Sequence, residues 1–390
     1  MTKGFWEKIK KPFFALAPMY DVTDAPFRKI IAKYSKKGKN GVDYVTFTEF
    51  VSADGLCSDK GKTKLLKHLK FSGMERPIVA QIFGANPDNI REAAKLIQKL
   101  GFDGVDINMG CPDKAVIKQG AGAALIKNPK LARDIIAAAQ AGADKIPVSV
   151  KTRIGYDKIN TEKWVSALLE AKLAAITIHG RTKKEMSLAP AHWDEIKKAV
   201  ELAKKIPKKQ RPLIIGNGDI TSIKDGEEKI ADCGADGIMI GRGIFGKPWL
   251  FSGKKDFNLN KKIEILLEHV KLFEKIYKSN HKNKLKNFDV MKKHFKAYIA
   301  GFKDAKELRI KLMEARNASE TDKITLPISL DNISCILSVI IPLLRRELIM
   351  PSSALSKLFS TKDSFKDIRT FLLFAKNFSI SFSASAPSFL

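Results

Sequence analysis

At 390 residues the chain outgrows a single small module, and its 44% hydrophobic and 29% charged residues exclude a disordered or collagen-like protein. Four cysteines with no CxxC pair argue against a zinc module or a disulfide framework, so no metal and a reducing, cytoplasmic setting are expected. The net charge of +28 fits a polyanionic partner, yet 57 of the 70 basic residues are lysine, so a lysine-rich composition accounts for it equally well.

The first residues lack the apolar stretch and small-residue cleavage site of a secretory leader. Short β-type runs then recur at 13–17, 43–47, 78–83, 104–107, 147–151, 175–179, 212–216 and 237–240. Amphipathic helical segments, such as 86–100 and 161–171, separate several of them. Strand alternating with helix predicts a parallel sheet. Eight such units within about 240 residues fit a (β/α)8 TIM barrel better than an open doubly wound sheet. A barrel does its chemistry where its strands end. Gln81, Asn108, Lys151, His179, Asn217 and Arg242 stand at or just past such ends.

The segment Asp106-Ile107-Asn108-Met109-Gly110-Cys111-Pro112 brings a strand to the rim and turns there, with Pro112 blocking immediate helix formation. A free cysteine is commonly a small buried hydrophobe. At a barrel strand end, followed by Gln119-Gly120-Ala121-Gly122-Ala123, Cys111 is instead a candidate catalytic thiol, acid or nucleophile. Lys151 and Arg153 close the fifth run, and alternation places both on one side. Such a lysine ends against an anion or snorkels to solvent. His179-Gly180-Arg181 closes the sixth run and suits an anion or a polar ring.

Two glycine-rich turns follow the last two runs, Gly216-Asn217-Gly218-Asp219 and Gly241-Arg242-Gly243. In barrels this is the usual place for a phosphate, held by loop amides. The second turn also matches G-x-G-x-x-G, but it closes the series of βα units instead of opening one, and Pro248 follows closely. We treat that match as accidental. Metalloprotease, nucleophile-elbow and P-loop signatures are missing. The residues therefore give a phosphate-bearing cofactor without its identity.

From about residue 257 the pattern is helical only. Ile263, Leu266, Val270, Phe273 and Tyr277 recur at helical spacing, as do Phe288, Met291, Phe295, Tyr298 and Phe302, predicting a small all-α bundle at 257–325 after a barrel at 1–256. This stretch carries 17 basic and 9 acidic residues, among them Lys282, Lys284, Lys286, Lys292, Lys293 and Lys296 as candidate phosphate contacts. From 326 the composition changes: 13 serines occur in the last 65 residues against 11 in the preceding 325. Its longest apolar run, 333–344, is too short to span a bilayer. This tail, 326–390, is either disordered or foreign to the rest, and no function is assigned to it.

Ala17-Pro18-Met19-Tyr20-Asp21-Val22-Thr23-Asp24-Ala25-Pro26-Phe27-Arg28, Gln81-Ile82-Phe83-Gly84, the 106–112 segment, Lys151-Thr152-Arg153, Thr177-Ile178-His179-Gly180-Arg181-Thr182, Asn217-Gly218-Asp219 and Gly241-Arg242 occur in that order. Together they resemble the tRNA-dihydrouridine synthases over roughly residues 12–320. The resemblance implies an FMN-bearing barrel, a helical domain that grips tRNA, and reduction of the uridine C5=C6 bond with NADPH or NADH. It implies that Pro18, Met19 and Tyr20 line the flavin, Tyr20 through its backbone, with Gln81, Lys151 and His179 near the ring. Asn217, Gly218, Asp219, Gly241 and Arg242 would hold the ribityl phosphate, Cys111 would give the proton, and Asn108 and Arg153 would meet the uracil. A monomer is expected. Two rival readings remain: a dihydroorotate-type FMN dehydrogenase on a free pyrimidine, and a non-catalytic RNA-binding protein on a decayed barrel.

Overall fold

Strands β1 (Phe13–Leu16), β2 (Tyr44–Phe47), β3 (Val51–Ser52), β4 (Ile78–Phe83), β5 (Gly104–Met109), β6 (Val148–Gly155), β7 (Ala175–Thr182), β8 (Leu213–Asn217) and β9 (Gly237–Ile240) form one parallel sheet in the computed structural model, which describes residues 3–35, 41–254, 256–277, 286–302 and 304–326. β1 pairs with both β2 and β9, and β2 pairs with β4, so the sheet closes on itself as an eight-stranded (β/α)8 barrel. All eight predicted runs are strands. β5, β6 and β7 run on to Met109, Gly155 and Thr182, carrying the rim residues further out than the apolar runs suggested.

β3 is the element the sequence did not announce. It lies beside β4 alone, and the register gains a residue between the Phe47↔Val79 and Val51↔Ile82 pairs. β2 and β3 thus share one barrel position, interrupted at residues 48–50. An extra residue of this kind bends a strand and re-aims its side chains; here it turns Glu49 inward, where it is fully buried.

The strands are apolar on both faces because helices cover the outside while side chains fill the inside. Phe13, Ala15, Val45, Phe47, Val79 and Met239 belong to the cluster inside the ring. Helix Pro87–Lys99 shows how the outer layer forms. Asn86 caps it by accepting from Asp88 N and Asn89 N, and Ile90, Ala93, Ala94 and Ile97 make the buried stripe.

Past the barrel come helices Leu259–Tyr277, Val290–Tyr298 and Ala305–Glu314. Their predicted stripes are buried except for Phe302, which is half-buried beyond the second helix, and Phe288 meets both Phe273 and Phe295 at about 6 Å between ring centroids. The same helices also pack on barrel helix Ala25–Tyr34, which the stripes alone did not indicate. Phe27 stacks on His269 at 5.1 Å, and Glu268 accepts from Lys33 Nζ and Tyr34 Oη, each at 2.6 Å. His269 and His294 face each other at 4.6 Å, and no ring nitrogen of either has a hydrogen-bond partner. The chain falls into two units, Met1–Thr325 and Leu326–Leu390. The tail past Leu326, with Cys335 and the apolar run 333–344, lies outside the described residues, as do Lys282 and Lys284. Among the described residues no helix is long and apolar enough to cross a membrane.

Candidate active site

A cavity of about 550 Å³ opens at the C-terminal ends of the strands. That is within the usual range for a small-molecule or cofactor site. Pro18, Met19, Lys151, Arg153, His179, Asn217, Gly218, Asp219, Gly241 and Arg242 line it, joined by Pro112, Arg181, Met186 and Ser187. Tyr20, Gln81, Asn108 and Cys111 stand outside this lining.

Gln81, Asn108 and Cys111 are nevertheless tied together beside it. Asp106, buried in β5, accepts from Ser149 Oγ at 2.6 Å and Gln81 Nε2 at 2.7 Å. Burial pushes its carboxyl up to about 6, against the pull of these two bonds and of Lys151. Gln81 Oε1 in turn accepts from Asn108 Nδ2 at 3.0 Å. Asn108 Oδ1 accepts from Gly110 N at 3.1 Å and Cys111 N at 2.8 Å. Asn108 therefore fixes the turn that carries the thiol. The half-buried Cys111 packs near Phe50, Phe83 and Val116, and burial pushes its thiol up, so that it stays protonated.

Lys151 Nζ donates to Asn217 Oδ1 at 3.0 Å, while Asn217 Nδ2 donates to Met239 O at 2.8 Å. Burial, then the Arg153 charge, lowers the lysine to about 8. The lysine does not snorkel outward; it is held inside. Arg153 donates from Nε to Gly110 O at 2.8 Å, and from Nη1 to Thr182 O at 2.9 Å and Met186 O at 3.0 Å. It thus staples the Cys111 turn to the loop after β7.

His179 is held well below its ordinary range by burial, then by Lys151, Arg153, Arg181 and Arg242. Arg181 Nη1 lies 3.2 Å from His179 Nε2. A guanidinium only donates, so Nε2 is the bare nitrogen of a neutral ring and the hydrogen sits on Nδ1. Asp219 accepts from both Arg181 Nη2 and Arg242 Nη2, the latter at 3.0 Å, and from Ala191 N at 2.9 Å. Its carboxylate organises two arginines, which leaves the backbone of the turn and the cations to face an anion.

The turn itself needs glycine. Gly218 has φ +140°, and a Cβ there would meet Ala191 Cβ at 2.5 Å. At Gly243 a Cβ would meet Ile220 O at 2.4 Å. Backbone and cations thus converge at one end of the cavity, a cradle of the kind that takes phosphate.

A second buried network was missed by sequence reasoning. Glu49, set inward by the break before β3, accepts from Asp21 N at 2.7 Å and Lys286 Nζ at 2.7 Å, and lies 3.3 Å from His68 Nδ1. Lys286 also lies 2.9 Å from Asp21 Oδ1 and 3.9 Å from Asp24 Oδ2. Burial raises the Asp24 carboxyl, aided by Glu49, whereas Glu49 is held low by His68 and Lys286 in spite of its own burial. This corrects one expectation: the Lys286 side chain is 5% exposed and neutralises carboxylates inside the protein, so it does not meet phosphates. Lys293 and Lys296 are exposed, and Lys292 pairs with Asp289 at 2.6 Å.

The chain is similar to known proteins over most of its length. The family model described as dihydrouridine synthase matches residues 15–334. A protein named "Probable tRNA-dihydrouridine synthase" from Staphylococcus aureus strain COL is 39% identical over 322 residues, 82% of this chain and 94% of its own length. "Probable tRNA-dihydrouridine synthase 2" of Bacillus subtilis strain 168 is 37% identical over 321 residues, 82% of this chain and 95% of its own. Among solved structures, a histamine dehydrogenase from Rhizobium sp. 4-9 is similar at 13% identity and a TM-score of 0.43, over 68% of this chain and 49% of that one.

Proposed function

Because the chain belongs to the dihydrouridine synthase family, we propose that it reduces the C5=C6 bond of particular uridines in tRNA to 5,6-dihydrouridine, with FMN and a nicotinamide donor, NADPH or NADH. The carrying observation is Asn108 Oδ1, which accepts from both Gly110 N and Cys111 N and so holds the thiol at the end of β5, beside the cation-lined cavity. The cavity suits FMN on three counts: its volume, the glycine turn at 218 that admits no Cβ, and the Arg181–Asp219–Arg242 cluster at the anion end. In this reading Pro18, Met19 and the Tyr20 backbone flank the ring system, with Gln81, Lys151 and His179 around it. The turns Asn217-Gly218-Asp219 and Gly241-Arg242 take the phosphate.

When bound, FMN would supply a hydride, drawn from the nicotinamide donor, to C6 of the uracil. The chain's own residues do the rest. Asn108 and Arg153 meet the uracil while holding the Cys111 turn. Lys151, positive below about pH 8, stabilises the negative charge that develops on the uracil carbonyl side. Cys111 Sγ–H gives its proton to C5, the role of an acid kept protonated by burial. His179, neutral and with its hydrogen on Nδ1, adds a donor without adding charge.

The barrel at 1–256 is the catalytic domain in this reading, the helical segment 257–325 grips tRNA, and the tail 326–390 belongs to neither. The enzyme works as a monomer in the cytosol. A free pyrimidine needs no basic helical segment, and the intact constellation around Cys111 argues against a decayed barrel. The test is to purify the protein, identify its chromophore, and assay tRNA from a strain deleted for this gene. A yellow protein that releases FMN and forms dihydrouridine is expected. A colourless protein that cannot be reconstituted, or one that reduces dihydroorotate-type substrates and not tRNA, would overturn the proposal.

A further inference from the structure

We propose that the Tyr20 side chain is a stacking shelf for a nucleobase of the RNA substrate, standing beside the cavity that takes the uracil. The inference deepens the tRNA reading above and rests on it for the kind of ligand. Tyr20 follows Met19, which lines the cavity, yet its own residue surface is 55% exposed. Large exposed aromatic rings on loops are usually loosely held. This one is not.

The loop is fastened on both sides of the ring. Met19 N donates to Thr23 Oγ1 at 2.8 Å, and Asp21 N donates to the buried Glu49 at 2.7 Å. The ring itself leans on Phe50, centroids 5.6 Å apart and tilted by 33°, and Phe50 meets Phe83 edge-on at 5.6 Å. Lys286 Nζ, fixed by three carboxylates, lies 5.8 Å from the ring centroid. The ring is therefore held in place while more than half of the residue's surface stays exposed.

Its position says what would use it. Phe50, Phe83 and Cys111 belong to one apolar cluster, so aromatic side chains run from beside the thiol out to the exposed Tyr20. A uracil whose C5 faces Cys111 has left its own stack, and the bases beside it have lost a neighbour. Unstacked bases bind to aromatic side chains in a sequence-tolerant way, because every base has a π-face. Tyr20 offers an exposed ring next to Met19 of the cavity lining. The adenine of the nicotinamide donor is the competing occupant, and the experiment separates the two.

The experiment measures tRNA affinity for the flavin-loaded wild type and for Tyr20→Leu, Tyr20→Phe and Tyr20→Trp, with the donor titrated in parallel. Tyr20→Leu is expected to weaken tRNA binding roughly 5- to 150-fold, the range of one base–aromatic stack. Tyr20→Phe and Tyr20→Trp are expected to restore it. Indole fluorescence of Tyr20→Trp should be quenched by tRNA beyond the quenching of the wild-type tryptophans, a signal that a purely structural residue would not give. Wild-type affinity in Tyr20→Leu, failure of Tyr20→Phe to restore binding, or quenching by the donor and not by tRNA would overturn the proposal. Should Tyr20→Leu not fold, the Tyr20→Trp quenching decides alone. None of these readouts needs turnover, so a wild type that binds tRNA without forming dihydrouridine would defeat the proposed reaction and leave the shelf to be judged separately.

Discussion

The Lys151 ammonium lies 3.0 Å from the side-chain oxygen of Asn217, so side chains of β6 and β8 meet although β7 separates the two strands in the sheet. The cation is tied to the end of β8 within the cavity lining. This constraint gives its titration a functional consequence.

Burial, then the Arg153 charge, brings Lys151 to about 8. The side chain is charged below that value and loses its charge above it. Dihydrouridine formation should therefore fall as pH rises through about 8. Lys151→Arg stays charged throughout and should flatten that descending limb. Lys151→Met should lower kcat by about 10²–10³, the usual loss for one electrostatic donor to a developing oxyanion. A pH–rate profile of the three proteins checks both statements.

Cys111→Ala should lose roughly 10²–10⁴ in dihydrouridine formation, the usual span for a general acid. Reduction of the enzyme by the nicotinamide donor should proceed as in the wild type, because the thiol is needed only once hydride has reached the uracil. Rapid-mixing measurement of the two half-reactions separates them. Equal loss in both would make Cys111 a packing residue of the cluster it shares with Phe50.

The site was legible where one rule sufficed. A barrel must do its chemistry at the strand ends, so Lys151, Arg153, His179 and the two glycine turns could be picked out from apolar runs followed by polar residues. What stayed hidden depended on pairing across the chain. Glu49 stands among Phe47, Thr48, Phe50 and Val51 with nothing in the sequence to mark it, and its cation, Lys286, comes from 237 positions further on. Asn108 was expected to face the uracil; its side-chain oxygen is committed instead to the Cys111 turn, a local Asn-to-backbone contact that Asn108 two residues before Gly110 does signal. Helical periodicity said that Phe273 and Phe295 are buried, not that the neighbouring His269 meets Phe27 of the barrel. Histidines at apolar stripe positions were simply not counted as core.

Those histidines predict acid sensitivity. Burial first, then Lys293 and Lys286, lowers His294 to about 3, and burial followed by His294 lowers His269 well below 6.5. Both are neutral in the folded protein, whereas in the unfolded chain they take up protons below about 6.5. Their contribution is complete above pH 6.5 and is lost as pH falls from there toward 3, at up to about 1.4 kcal/mol per pH unit for each histidine. Denaturant unfolding between pH 7 and 5 should reveal the slope, and the double substitution His269→Phe, His294→Phe should reduce it. An unchanged slope in that variant would trace the acid sensitivity to His179 instead, which burial lowers from the same ordinary value.

Salt should weaken tRNA binding through the exposed lysines and not through Lys286. If Lys293 and Lys296 each neutralise a phosphate, replacing both with alanine should flatten the log–log salt slope by about 1.4–1.8, given about 0.7–0.9 per contact. Titrating tRNA affinity against salt for wild type and double variant checks this. Parallel slopes would place the phosphate contacts elsewhere on this lysine-rich surface.

The insertion of Lys286 among Asp21, Asp24 and Glu49 bears on how modular the protein is. The end of the last barrel strand invites a chimera, with this barrel fused at about residue 257 to a relative's helical segment chosen for a different tRNA preference. A graft whose incoming segment brings no cation to the place of Lys286 would leave three barrel carboxylates without it, and would expose Phe27 to whatever replaces His269. Unmatched buried carboxylates are strongly destabilising, so the exchange would fail at the junction before specificity could be read. The unit that can be exchanged is the helical segment together with 21–28 and Glu49. Residues on the barrel side of the seam therefore have to change in step with those on the helical side.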